Sequence, residues 1–141
     1  PNIYWQMQNA IAGMSVAAQA LDTPVVSGNV SLYNETAAGA IYPTPVVGMA
    51  GVLADVDKRC DMAFKEPGDL IILLGGFRDE LGGSEYLSVC HGLETGAVPT
   101  VNLTAEKSLQ ELILQLIHDD ILQSCHDISE GDWRWPWRSR P

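Results

Sequence analysis

Residues 23–36 read TPVVSGNVSLYNET, and the apolar and polar halves of that string ask for different surroundings. Val25, Val26, Val30 and Leu32 are strand formers, interrupted by the turn-prone Ser27-Gly28-Asn29. Residues two apart share one face of a strand, so Asn29 and Ser31 lie together. Gly28 lets a backbone approach a phosphate closely. Asn29 offers a neutral oxygen to a hard cation and an amide donor, and Ser31 adds a hydroxyl. The residues alone admit two readings: a strand end that holds phosphate and cation, or a bulged strand followed by an Asn-rich turn.

Working outward, the stretch before it is helical. Ile3, Met7, Ala10, Ile11, Met14, Ala17, Ala18 and Leu21 recur at helical spacing, which predicts a helix from about Tyr4 to Leu21. Asp22-Thr23-Pro24 stops it, because the residue before proline avoids the helical region. Downstream, Thr36–Ile41 reads as a loop and Tyr42–Pro45 as extended. Val46–Leu53 reads as a buried strand with close backbone approach at Gly48 and Gly51. Asp55–Cys60 is a polar turn or short helix, and Lys65–Asp69 a strong turn. Leu70–Leu74, wholly apolar, predicts a short strand in a sheet covered on both faces. Gly82–Glu85 opens a helix to about His91, and Gly92–Asn102 is loop. Thr104 is the expected cap of a further helix whose buried stripe is Leu109, Leu112, Ile113, Leu116 and Ile117. Ile121–Cys125 closes the series as a strand. This order gives a mixed α/β (α+β) class, with the turn at Pro67–Asp69 as the candidate domain boundary.

Composition excludes several functions. The net charge of -10 leaves no basic stripe for phosphates, so no nucleic acid is expected as a partner. The longest apolar runs fall far short of the roughly 20 residues a membrane helix needs, and no signal peptide is visible. No membrane partner is expected, and the localisation reads as cytoplasmic. Cys60, Cys90 and Cys125 stand singly, without metal-site spacing, and read as small buried side chains.

The run SGNVSLYNET at Ser27–Thr36 resembles the signature of the PurL family of phosphoribosylformylglycinamidine synthases. Five companions follow the family's pattern in order. They are Trp5-Gln6 with Thr23–Val26, IYPTPVVGMAG at Ile41–Gly51, Pro67–Leu70, ELGGSEYL at Glu80–Leu87, and HDISEG at His126–Gly131. The resemblance covers about Pro1 to Gly131. It implies a PurM/PurL-like fold in which residues 1–66 are the remainder of an A-type sheet domain and residues 67–131 the start of a B-type α/β domain. The function it implies is an ATP-dependent ligase of purine biosynthesis. That enzyme uses ATP and magnesium (Mg2+) to activate the amide oxygen of formylglycinamide ribonucleotide, after which ammonia displaces phosphate. Implied partners are a glutaminase subunit and a small bridging subunit.

Carried over position by position, Gly28 matches a nucleotide contact, Asn29 a magnesium ligand and Ser31 a substrate contact. The family's catalytic histidines belong to a first half that this sequence lacks, as do its acidic nucleotide contact and ATP-binding lysine. No catalytic residue is therefore assigned to His91, His118 or His126, and the isolated chain is expected to be inactive. The glycine-bearing helix starts at Leu81–Ser84 and Ser129–Gly131 read equally as anion sites or as ordinary caps. Fold-level kin such as aminoimidazole ribonucleotide synthetase and selenophosphate synthetase are the alternative reading.

Both ends read as cut, and residues 132–141, DWRWPWRSRP, depart from the family. They hold three of the four tryptophans and three of the eight basic residues. Tryptophan has one codon, TGG. One permitted coding of residues 130–141, with a single G added to its guanine run, reads on as EGGLAVALAESA, which resembles the family's continuation and is helix-forming. The tail is therefore read as a single-base frameshift, in preference to a membrane-active Trp/Arg peptide. Loss of the helix after HDISEG leaves Leu70–Leu74 and Ile121–Cys125 without cover, and poor solubility is expected.

Overall fold

The computed structural model describes residues 2–31, 35–76, 78 and 80–128. Its elements are helix α1 (Asn2–Ala20), strands β1 (Glu35–Thr36) and β2 (Gly39–Ala40), helix α2 (Glu85–His91) and helix α3 (Leu103–His118). The expected tail, residues 132–141, lies outside the described residues, as do Leu32 and Ser129–Gly131. The described chain forms two units. Of the described residues, one comprises those within 2–51 and 78–108, the other those within 52–76 and 109–128.

In the first unit, α1 arises where the apolar spacing predicts it. Met7, Ala10, Met14, Ala17, Ala18 and Leu21 are half-buried, while Ile3 and Ile11 are exposed. Its end is a Schellman arrangement. The Thr23 amide donates to Ala18 O at 2.9 Å and the Asp22 amide to Gln19 O at 3.3 Å, with Asp22 left-handed at φ 56°. Asp tolerates that conformation better than most residues, and Pro24 then prevents any continuation. Residues 36–41, expected as loop, contain a hairpin instead. Glu35 pairs with Ala40 and Thr36 with Gly39. The Thr36 hydroxyl accepts from the Ala38 amide at 3.2 Å and donates to Gly39 O at 3.3 Å, which closes the turn locally. Helix α2 is capped by Ser84, whose hydroxyl accepts from the Leu87 amide at 3.3 Å, and ends at left-handed Gly92.

In the second unit, Asp55 forms the expected turn. Its carboxylate accepts from the Asp57 amide at 2.9 Å and its carbonyl from the Lys58 amide at 3.2 Å. At residues 66–69 the Glu66 amide donates to the Asp69 carboxylate at 3.2 Å, with Gly68 at φ 103°. The C-terminal end of α3 repeats the Schellman pattern, with Asp120 left-handed and the Ile121 amide bonded to Leu116 O at 3.0 Å. Lys58 pairs with Asp120, and Lys65 grips both oxygens of Asp61 at 2.6 and 2.7 Å.

The four strand expectations are corrected, and two others with them. Residues 25–31, Val46–Leu53, Leu70–Leu74 and Ile121–Cys125 are not strands. A strand exists only through its ladder partner, and these segments are not laddered here. The cap of α3 is Asn102 rather than Thr104, since the Asn102 side chain accepts from the Ala105 amide at 3.0 Å. Of the three cysteines, Cys90 is exposed and Cys60 and Cys125 are half-buried. Among the described residues none is buried, so no enclosed core forms.

Candidate functional site

Gly28, Asn29 and Ser31 lie in the first unit, on the extended segment that leaves the C-terminal end of α1. Pro24 fixes the direction of departure, and residues 24–31 carry no ladder. All three are exposed. The segment thus presents one flexible-backbone residue, one carboxamide and one hydroxyl within four positions. A Cβ built on Gly28 meets nothing within 4 Å, so space for a close-approaching group is present there but is not walled.

The donor set fits magnesium in kind, because carboxamide and hydroxyl oxygens are hard ligands. In number it is a partial set. Magnesium requires six near-octahedral ligands, and among the described residues no cluster of three His, Cys, Asp or Glu side chains stands ready. Asn29 and Ser31 can therefore contribute to a cation or phosphate site that other groups complete. They cannot build one alone.

Upstream, a shallow open hollow of about 370 Å³ is lined by Ser15, Ala18, Gln19, Asp22, Thr23, Pro24 and Val25. Its only ionisable lining residue is Asp22, whose negative charge disfavours a phosphate. The hollow is the seam between the α1 terminus and the departing strand-like segment, and it is not a nucleotide cradle.

Sequence reading passed over the best-connected polar group of the first unit. The Thr100 hydroxyl accepts from Arg78 and donates to Glu80 Oε1 at 2.7 Å. The Thr100 amide donates to Glu80 Oε2 at 3.1 Å, and Arg78 Nη1 reaches Thr100 O at 3.3 Å. The Thr100 hydrogen bonds, with Arg78 at 4.0 Å from the carboxylate, hold the Glu80 carboxyl below its usual range. Tyr42 donates to Glu94 Oε2 at 2.6 Å, and that bond with the neighbouring negative charge pushes its phenol up. No compositional signal marks these pairs, whose members are 20 and 52 residues apart. They tie loops together and leave little free hydrogen-bonding capacity for a ligand.

Of the two glycine-bearing helix starts, the one before α2 is an ordinary cap through Ser84. The Ser129–Gly131 start lies outside the described residues. The three histidines have close neighbours on their own stretches of chain. His118 sits beside Asp119 at 3.1 Å on the surface, His91 packs edge-on to Tyr86 at 5.2 Å between ring centroids, and His126 Nδ1 lies 3.4 Å from the Asp127 carboxylate.

Comparison with known proteins places this arrangement. The family described as AIR synthase related protein, C-terminal domain, matches residues 66–131. Subunits named phosphoribosylformylglycinamidine synthase subunit PurL match almost the whole chain. The one from Alkaliphilus metalliredigens is 54% identical over 131 residues, 93% of this chain. That from Thermoanaerobacter sp. strain X514 is 57% identical over 129 residues, 92% of the chain, and that from Moorella thermoacetica 50% over 131 residues. The chain spans about 18% of the length of these relatives. No solved structure matches. Among the described residues no helix is long and apolar enough to cross a membrane.

Proposed function

We propose, from the premise that this chain matches a segment of a PurL subunit, that it is the part of that enzyme which presents Gly28, Asn29 and Ser31 to substrate. The observation that carries the proposal is identity of about half or more, sustained over more than nine-tenths of the chain. The proposed parent activity converts formylglycinamide ribonucleotide, ATP and glutamine-derived ammonia to the amidine, ADP and phosphate. The AIR synthase related match at residues 66–131 supports a division into an A-type remainder, residues 1–66, and the start of a B-type domain, residues 67–131.

An amide oxygen is a poor leaving group, and ATP with magnesium supplies the phosphoryl group that makes it a good one. What this chain's residues do is position. Gly28 admits the close approach of a phosphate to the backbone. Asn29 would give one hard oxygen to the cation, and the Ser31 hydroxyl would hold the ribonucleotide. Such chemistry depends on alignment and charge neutralisation more than on an acid or base, so the absence of a catalytic histidine from this chain is compatible with the role. Turnover requires the remaining four-fifths of the subunit, and the proposed partners are a glutaminase and a small bridging subunit of the same complex. The relatives are by name subunits, which supports assembly.

The test is a chimera. Residues 1–131 replace the matching segment of the Alkaliphilus metalliredigens subunit, and amidine formation is assayed with ammonia. The chimera is expected to turn over, and Asn29→Ala in it should raise the magnesium requirement by about 10- to 100-fold. A folded chimera inactive on formylglycinamide ribonucleotide, yet active on an aminoimidazole precursor or selenide, would instead support the fold-level kin.

A further inference from the structure

Two of the three cysteines are brought to one point of the second unit. The carbonyl oxygen of Asp61 accepts from the Cys60 thiol at 3.7 Å and from the Cys125 backbone amide at 2.9 Å. Cys60 and Cys125 thus share one hydrogen-bond acceptor, which brings residues 60–61 beside residue 125. Both side chains are half-buried, partly shielded and still open to a small oxidant. We propose that Cys60 and Cys125 are a dithiol pair that a peroxide closes to a disulfide.

The step balances. One thiolate attacks an oxygen of hydrogen peroxide, the O–O bond breaks, and a sulfenic acid and hydroxide result. The second thiolate then attacks that sulfur, the S–S bond forms, the S–O bond breaks and the oxygen leaves as water. Two thiols are oxidised and one peroxide is reduced to two waters. Burial, and to a lesser degree the neighbouring Cys125 and Asp61, push the Cys60 thiol up. The thiolate is the reactive form, so closure is slow at neutral pH and quickens as pH rises.

Chain statistics make the test sharp. Cys60 and Cys125 enclose about twice the chain that either pairing with Cys90 encloses, so an unstructured chain forms the Cys60–Cys125 link about threefold less often. The structure predicts the reverse order. The 141-residue chain is treated with hydrogen peroxide at low protein concentration, alkylated and cut with trypsin. Lys and Arg positions place the three cysteines on three peptides, 60–65, 79–107 and 108–134. The expected result is a 60–65/108–134 link exceeding each link to 79–107 by about tenfold, preserved in Cys90→Ser and reverting to the statistical order in concentrated urea. Links to Cys90 that equal or exceed it in native buffer, or no intramolecular link at all, would overturn the proposal.

Discussion

Replacing Gly82 by alanine tests how the loop of residues 92–102 is held in the first unit. A Cβ on Gly82 would lie 1.9 Å from Ala97 O and 2.7 Å from Ala97 C and N. From the other side, a Cβ on Gly96 would lie 2.6 Å from Gly82 Cα. The two backbones are thus in contact, with no side chain between them to rotate away. Relief of the overlap requires them to part by about 1 Å, since real Cβ atoms essentially never come within 3.0 Å of a neighbour. The adjacent hydrogen bond, Gly83 amide to Thr95 O at 3.0 Å, cannot survive that separation. Such a bond contributes about 0.5–1.5 kcal/mol net, and about 1.4 kcal/mol is tenfold in an opening equilibrium. Amide hydrogen exchange resolved by NMR should show Gly83 exchanging up to about tenfold faster in Gly82→Ala. Gly76→Ala is the matched control, because a Cβ there meets nothing within 4 Å. Unchanged Gly83 exchange in Gly82→Ala, or equal acceleration in both variants, would refute the close-approach argument.

Two further outcomes follow from the same contacts. Asn102→Ala removes the cap of α3 and should cost about 1 kcal/mol of helix stability, read as lower helical ellipticity and faster exchange at Ala105, while Thr104→Ala leaves Ala105 unchanged. Glu80 has a folded pKa below its ordinary value of 4.5, so its tie to Thr100 is fully present above that value and is lost as pH falls through the lower, folded one. The Thr100 amide resonance should therefore move only below the ordinary carboxylate range, and Glu80→Gln should abolish that pH dependence.

The helices were legible because their hydrogen bonds close within a few residues. Apolar spacing found α1 and α3, and the Gly82–Glu85 entry found α2, where the structure selects the cap from the two readings left open at Ser84. The α3 cap was misplaced by two residues because Asn102 and Thr104 carry equally suitable oxygens, and only backbone geometry chooses between them. The left-handed Asp22 and Asp120 gave weak signals, since glycine is the commoner residue there. Strands were legible as composition and not as pairing. Val46–Leu53 and Leu70–Leu74 have strand sequences, but a ladder needs a second segment that the string itself does not name. The proposed roles of Gly28, Asn29 and Ser31 rest on the SGNVSLYNET pattern, whereas the Arg78–Thr100–Glu80 group depends on contacts about 20 residues apart, which no local motif encodes.

The exposed apolar segments bear on where folding energy resides. Val46 is 93% exposed, Val52 97% and Leu70 88%, in a chain whose hydrophobic share is 46%. Each such side chain is worth about 1.5–3 kcal/mol when buried, and none of that is gained here. The local ties that are present, the Schellman turns, the caps and the ion pairs at Lys58 and Lys65, are exposed and individually weak. Helix caps, turns and surface pairs set local direction, and each offsets only the ordering of its own short segment. On the proposed assignment the missing burial lies in the remaining four-fifths of the subunit. Strand-like segments such as Val46–Leu53 and Leu70–Leu74 would gain ladders and cover only there. The segment bearing Gly28, Asn29 and Ser31 obeys the same logic. On the same proposed assignment its donors are correct in kind and form one wall of a site that the rest of the subunit would complete.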